Sequence, residues 1–152
     1  MDDETLAFAH QMFDLARSGD SHALARYVDA GLPADLTNSA GDTLLILAAY
    51  HDHPETVAAL LARGADTTRV NDRGQTALAA AVIRRSDAVE LLLAAGADPA
   101  NGSPSPIEVA EFFDLPDMLT RLTDAAAEAP GGAGVPNRGF ASERRDSDTV
   151  PE

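Results

Sequence analysis

Few residues in this 152-residue chain could do chemistry by their type and spacing. The densest group is His51-Asp52-His53, whose imidazole and carboxylate side chains could in principle bind a metal ion. Cysteine is absent, which excludes disulfides, thiolate metal sites and cysteine nucleophiles. The chain has neither a glycine-rich phosphate-binding loop nor a G-x-S-x-G motif, and its carboxylates are spread along the chain. We therefore expect no enzymatic activity, no cofactor and no metal, and keep a metal site at His51 and His53 as a minor alternative.

The charge of the chain limits its partners and its location. It has 25 Asp and Glu residues against 11 arginines, no lysine, and a formal charge of −14. Such a chain is repelled by nucleic acid and by anionic membranes, so neither is expected as a partner. Its longest apolar run is far short of the roughly 20 residues of a membrane span. The acidic start Asp2-Asp3-Glu4 is unlike a signal peptide. We expect a cytoplasmic protein that is monomeric on its own.

An internal repeat organises the chain. The segment LLARGAD at residues 60–66 returns as LLAAGAD at residues 92–98, 32 positions later. The segment GDTLL at residues 41–45 returns as GQTAL 33 positions later. Weaker copies, YVDAG and SPSPI, flank these two units. Two independent markers that keep nearly the same period predict an array of about four structural repeats.

Each unit has the pattern of a helix, a tight turn, a second helix and a loop. Thr43 and Thr76 precede apolar runs and are expected to cap the first helix of their units. Pro54 stands where a second helix would begin, since its missing N–H is harmless there. Ala48 and Ala81 are expected where two helices come close. Three glycines follow apolar helical stretches and fit the left-handed position past a helix end, namely Gly31, Gly64 and Gly96.

These residues resemble the ankyrin repeat, whose pattern is roughly G-x-T-P-L-H-x-A-A followed by V-V-x-L-L-L-x-x-G-A-D. The resemblance is specific at Gly41, Thr43, Leu45, Ala48, Ala49, Leu60, Leu61, Gly64, Ala65 and Asp66, and at the matching residues of the next unit. Two departures are the loss of proline and histidine from the T-P-L-H tetrad and one residue missing around Arg84 to Asp87.

The resemblance implies an all-α solenoid of about four helix-turn-helix repeats joined by extended turn loops. We place the repeats at about residues 5–37, 38–70, 71–100 and 101–124, within a domain at residues 1–124. The last repeat is expected to use Phe112 or Phe113 to close its cap. Residues 125–152 are rich in Ala, Gly, Pro and Ser, and their composition predicts a disordered tail.

The resemblance also implies a contact surface, because ankyrin repeats usually bind through their turn tips and the outer ends of their first helices. Alignment to those positions selects Arg17, Ser39, Asp42, Tyr50, His51, Asp72, Arg73, Gln75, Ile83, Arg84 and Phe112. Six of these are expected to form a stripe along a concave groove: Arg17, Tyr50, His51, Ile83, Arg84 and Phe112. An exposed stripe without a partner is the alternative, since single apolar residues on a surface are common.

The predicted function is a non-catalytic protein-binding module, an adaptor or regulator, that contacts another protein through the groove and the turn tips. A second hypothesis follows from the charge. The protein could be an acidic inhibitor, of the immunity or antitoxin kind, that blocks a basic enzyme. The two hypotheses predict different responses of binding to salt.

Overall fold

The computed structural model describes residues 2–128, and within them it contains eight helices arranged as four consecutive pairs. The helices are α1 (Asp3–Ser18), α2 (Ser21–Asp29), α3 (Leu44–Tyr50), α4 (Pro54–Leu61), α5 (Ala77–Arg84), α6 (Ala88–Ala94), α7 (Pro106–Phe112) and α8 (Pro116–Glu128). An isolated bridge between Thr37 and Thr43 is the one β-type pairing in this part of the chain. The predicted all-α solenoid of four repeats is confirmed.

The first helices of the pairs, α1, α3, α5 and α7, stack side by side and form one layer of the array. The second helices α2, α4 and α6 stack in a parallel layer behind them, and α8 packs on α7. Ala48 and Ala81 are completely buried, as predicted, along with Ala79, Ala80 and Ala110. Because the distance between packed helices depends on the side chains at their contact, this alanine-rich layer allows a close approach.

Side-chain oxygens cap the first helices and set where they begin. The Thr43 Oγ1 accepts a hydrogen bond from the N–H of Ile46 at 3.1 Å, and the Thr76 Oγ1 accepts one from Ala79 at 3.1 Å. Both predicted caps are therefore confirmed. In the fourth unit, Ser105 takes this role and forms a reciprocal capping box with Glu108.

A left-handed residue ends each first helix and turns the chain into the second. Its four members are Gly19, Asp52, Arg85 and Asp114, with φ between 52° and 80°. They follow one another at intervals of 33, 33 and 29 residues. Only the first is a glycine, so the sequence pattern does not reveal this second series of left-handed positions beside Gly31, Gly64 and Gly96, which do have positive φ.

The residue that the third unit lacks is missing just before its second helix, between the turn residue Arg85 and the buried Ala88. Arg85 keeps the turn residue at the same spacing as in the second unit. The N–H of Val89 then donates to the carbonyl of Ser86 at 3.2 Å, an i to i+3 bond that tightens the first turn of α6. A tighter turn uses fewer residues, so α6 reaches its buried position Leu92 one residue sooner.

Asparagines shape the loops between successive units. The Asn38 Oδ1 accepts hydrogen bonds from the N–H groups of Ala40 and Asp42 at 3.0 and 2.9 Å. The Asn71 Oδ1 accepts the equivalent bonds from Arg73 and Gln75 at 2.9 and 3.0 Å. Each asparagine thus folds its loop into a compact turn tip by satisfying backbone donors that the turn leaves unpaired.

Neighbouring turn tips are hydrogen-bonded to one another. The N–H of Asp72 donates to the carbonyl of Ala40 at 3.0 Å, and that of Ser103 donates to Gly74 at 2.9 Å. These bonds hold three turn tips in a continuous row along the edge of the array.

The last helix is longer than predicted. Helix α8 continues to Glu128, whereas the sequence places the start of the tail at residue 125. Alanine favours helix strongly, and three alanines follow Asp124, of which Ala125 and Ala126 are half-buried. The helix therefore continues past Asp124. The rest of the predicted tail, residues 129–152, lies outside the described residues. No helix among those described is long and apolar enough to cross a membrane.

We expect Gly74→Ala to destabilise the protein more than Gly64→Ala. Both residues have positive φ, so each substitution carries the left-handed strain of about 1–2 kcal/mol. A Cβ at Gly74 would also overlap the carbonyl oxygen of Ser103, while a Cβ at Gly64 would meet open space. The free energy of unfolding in urea should fall by about 1–3 kcal/mol more for Gly74→Ala. Equal losses would show that the close packing of the turn tips contributes nothing.

Candidate functional site

The two residues that precede each left-handed turn residue lie at equivalent places on the four stacked first helices. One row of these residues contains Arg17, Tyr50, Ile83 and Phe112, and the other contains Ser18, His51, Arg84 and Phe113. We call these eight residues the ladder. All are exposed except Ile83, which is half-buried. The six residues predicted to form a stripe are therefore neighbours across adjacent helices, and the structure adds Ser18 and Phe113 to them.

A groove lies between the apolar end of the ladder and the turn tips of the third and fourth units. Its volume is about 610 Å³, and it is lined by Gln75, Ile83, Ser103, Pro104, Glu108, Val109, Phe112 and Phe113. Three residues of the predicted contact surface, Gln75, Ile83 and Phe112, thus meet in one cavity. The repeat period alone does not identify Val109 and Phe113, because the loop before α7 is shorter than its counterparts.

The rim of this groove is an exposed aromatic pair. Phe112 is 82% exposed and Phe113 is 47% exposed, and their rings meet edge to face at 5.0 Å. The prediction that one of them closes the cap of the last repeat is wrong. Leu122 of the long helix α8 is completely buried and covers the end of the core instead, with Met118 packed beside it. The two phenylalanines are left on the surface.

The opposite end of the ladder is cationic. Arg17 pairs with Asp14 at 2.8 Å, and Arg84 has no carboxylate oxygen within 4.0 Å among residues 2–128. Partial burial lowers the pKa of the His51 imidazole below its ordinary value, and the nearby positive charges of Arg17, His53 and Arg84 lower it further, against the opposing charge of Asp42. The direction of the shift places these cationic groups around one exposed imidazole.

His53 joins the first two repeats rather than the ladder. Its Nε2–H donates to the backbone carbonyl of Arg17 at 2.7 Å, and its ring lies against Gly19, where a Cβ would overlap it. This contact cannot be predicted from the sequence pattern, because His53 and Arg17 are 36 residues apart. In the part of the chain described here, no three side chains of the His, Cys, Asp or Glu type converge to hold a metal.

The turn-tip residues of the predicted surface divide into exposed and structural ones. Ser39, Asp72 and Arg73 are exposed, and Gln75 is half-buried in the groove. Asp42 is different, because it is only 8% exposed and its Oδ1 accepts a hydrogen bond from the Asn71 Nδ2 at 2.8 Å. The expectation that Asp42 contacts a partner is therefore corrected: its carboxylate ties two successive turn tips together.

We expect the imidazole of His51 to titrate below 6.5 in an NMR experiment, and Arg84→Gln to raise its pKa. Removing one cation lets the ring take up its proton more readily, although the larger cause, burial, remains. Arg85→Gln is the matched control and should leave the midpoint unchanged, since Arg85 is not among the causes of the shift.

The lowered pKa of His51 also determines how the stability of the protein changes with pH. The folded protein binds this proton less readily than the unfolded chain does, so His51 lowers stability as pH falls through 6.5, by a small amount for an exposed side chain. A midpoint that Arg84→Gln leaves unchanged would contradict the placement of Arg84 beside His51.

Comparison with known proteins agrees with this architecture. The family model for ankyrin repeats, in three copies, matches residues 12–102, which is more than half of the chain. A Pseudomonas aeruginosa protein named as an ankyrin repeat protein, PA3287, is 53% identical over 57 residues. The match covers 38% of this chain and 33% of that relative, so the chain spans about a third of the relative's length. With its paired helices, linked turn tips and alanine-rich layer, this chain belongs to the ankyrin repeat family.

Proposed function

We propose that the protein is a non-catalytic, cytoplasmic adaptor or regulator that binds another protein through the ladder, the groove and the exposed turn tips. Ankyrin repeats are in general protein–protein interaction modules, and this chain has the same framework. The observation that carries the proposal is Phe112, which is 82% exposed at the rim of an apolar groove. The protein is monomeric until it meets its partner.

An exposed aromatic pair beside a groove suits the centre of a protein interface. Aromatic and Arg side chains are enriched at such centres, where a few anchors contribute most of the binding energy. An aromatic side chain buries about 150–250 Å², equivalent to about 4–6 kcal/mol at about 25 cal/mol per Å², before the costs of association. Phe112 and Phe113 supply this area from the C-terminal end of helix α7 and the residue that follows it, so little backbone has to be ordered on binding.

The proposal predicts that the groove, rather than exposed apolar surface in general, captures the partner. An affinity pull-down from the native host lysate would compare wild type with Ile83→Ser/Phe112→Ser. The control is Leu6→Ser/Phe8→Ser, which removes two apolar residues that are 44% and 40% exposed on α1, outside the ladder. We expect wild type and control to retain a protein that the groove variant loses, with circular dichroism showing all three folded. Equal retention by all three would contradict binding at the groove.

The charge of the protein favours a second candidate, an acidic inhibitor of a basic enzyme. Residues 1–128 hold 21 of the 25 acidic residues and 8 of the 11 arginines, a net charge of −13. Four of those arginines are already paired with carboxylates of this chain. Acidic side chains therefore predominate on the surface away from the ladder, as a partner of opposite charge would require.

The salt dependence of binding distinguishes the two candidate functions once a partner has been captured. An inhibitor that relies on its acidic surface should lose association rate and affinity steeply as the NaCl concentration rises, because screening removes the steering attraction. A groove-centred module should show a flat or rising association rate, because salt screens the repulsion that its net charge exerts on acidic partners. Stopped-flow or surface plasmon resonance measurements at low and high salt would distinguish these outcomes. A steep fall would replace the adaptor proposal with the inhibitor.

A further inference from the structure

We propose that the ladder binds an extended segment of a partner protein that carries carboxylates at one end and a large apolar side chain at the other. The acidic end lies over the junction of α3 and α5, and the apolar end enters the groove between α5 and α7. This inference rests on the proposed function and names the chemistry of the partner.

The ladder changes chemical character along the array. At its N-terminal end stand Arg17 and His51, and Arg84 follows on the next helix toward the middle. At its C-terminal end stand Phe112 and Phe113, with Ile83 beside them. Because the first helices stack in chain order, this change is a gradient from cationic to apolar across one continuous face. A partner segment that follows the face needs the opposite charge first and an apolar group afterwards.

Arg84 is the residue that makes the cationic end available. Arg17, Arg63, Arg69 and Arg121 each lie within 4.0 Å of a carboxylate of this chain. Within residues 2–128 Arg84 has no such neighbour, which is also true of three arginines outside the ladder, Arg26, Arg73 and Arg85. Its guanidinium is exposed and can offer a forked pair of N–H donors, the arrangement that fits a carboxylate.

Two carboxylates near this end of the ladder are engaged within the protein, whereas Asp52, the residue after His51, is exposed. Asp42 accepts its hydrogen bond from Asn71 at 2.8 Å and is almost fully buried. Asp14 is bound to Arg17 at 2.8 Å. Partial burial is the larger cause of the lowered pKa of His51, and the charges of Arg17, His53 and Arg84 add to it. The net charge of −14 does not cancel this local field in the cell, because exposed charges more than about 8 Å apart are largely screened at physiological salt.

The spacing of the first helices determines how long a partner segment must be to cover the ladder. Packed helices lie about 8–10 Å apart, so the four positions of one row span about 24–30 Å. An extended chain advances about 3.3 Å per residue, so about eight or nine residues cover the ladder. The carboxylates over the α3–α5 junction and the apolar side chain in the groove between α5 and α7 are one helix spacing apart, which is about three residues of an extended chain.

A selection experiment tests this chemistry without knowledge of the partner. The full chain would be used to select from a phage-displayed library of random 12-residue peptides. We expect enriched peptides to share acidic residues and, about three positions away, a Leu, Ile, Phe or Trp. Arg84→Glu should weaken the dissociation constant of an enriched synthetic peptide about tenfold or more, as expected for the loss of a charged pair of about 1.4 kcal/mol.

Matched variants keep the experiment decisive. Arg26→Glu makes the same charge change at an exposed residue of α2, outside the ladder, and should leave the peptide's affinity unchanged. Replacing the peptide's acids with Arg should restore binding to Arg84→Glu. Enriched peptides that lack acids but still need Ile83 and Phe112 would overturn this inference and leave the proposed function standing. Peptides that are insensitive to every ladder variant would overturn both.

Other occupants of the ladder are separate outcomes of the same measurements. Enrichment of basic peptides would assign binding to the acidic surface and overturn the inference. Peptide binding that appears only after truncation at Glu128 would assign the ladder to residues 129–152 of the chain itself. Self-association that Phe112→Ser abolishes would assign it to a second copy. Either result, or a library with no enriched peptide, would overturn a linear partner segment.

Discussion

The close stacking of the first helices is the interaction on which the rest of this protein depends. The packed helices α3 and α5 carry six alanines, of which Ala48, Ala80 and Ala81 have no exposed surface. A larger side chain at these positions would push the helices apart and separate the turn tips that follow them. The bonds from Asp72 to Ala40 and from Ser103 to Gly74 require that small separation. The alanine layer therefore determines the geometry of the row of turn tips and of the ladder.

Packing in the two end units determines which apolar residues remain outside. At the N-terminus, Met12, Phe13 and Ala16 are buried by the neighbouring repeat. At the C-terminus, Leu122 of α8 is completely buried eight residues after the turn residue Asp114, the same interval that separates the buried Leu60 from Asp52. Phe112 lies on the surface because it stands at the ladder position of α7, as Arg17 and Tyr50 do on their helices. The proposed binding groove is a consequence of how the array ends.

Charge on this protein has a local organisation within its overall acidity. Most of its carboxylates lie on the surface and keep it strongly anionic, whereas the ladder brings Arg17 and Arg84 close to His51 on adjacent helices. That grouping arises because equivalent positions of successive repeats become neighbours in space. A repeat protein can therefore build a site of one chemical character from residues about 33 positions apart, without any local cluster in its sequence.

The sequence by itself determined the repeat period, the threonine caps, the proline at the start of α4 and the three left-handed glycines. These features depend on a residue and its close neighbours along the chain, so they can be read from the sequence. Much of the candidate site could be predicted too, because Tyr50, Ile83 and Phe112 follow the repeat register. Only the tertiary structure decided that Asp42 is buried against Asn71, that Arg84 lacks a carboxylate neighbour within the described residues and that neither Phe112 nor Phe113 closes the cap. Each of these depends on packing between helices or turns, and such contacts are set by the distance between elements rather than by residue type.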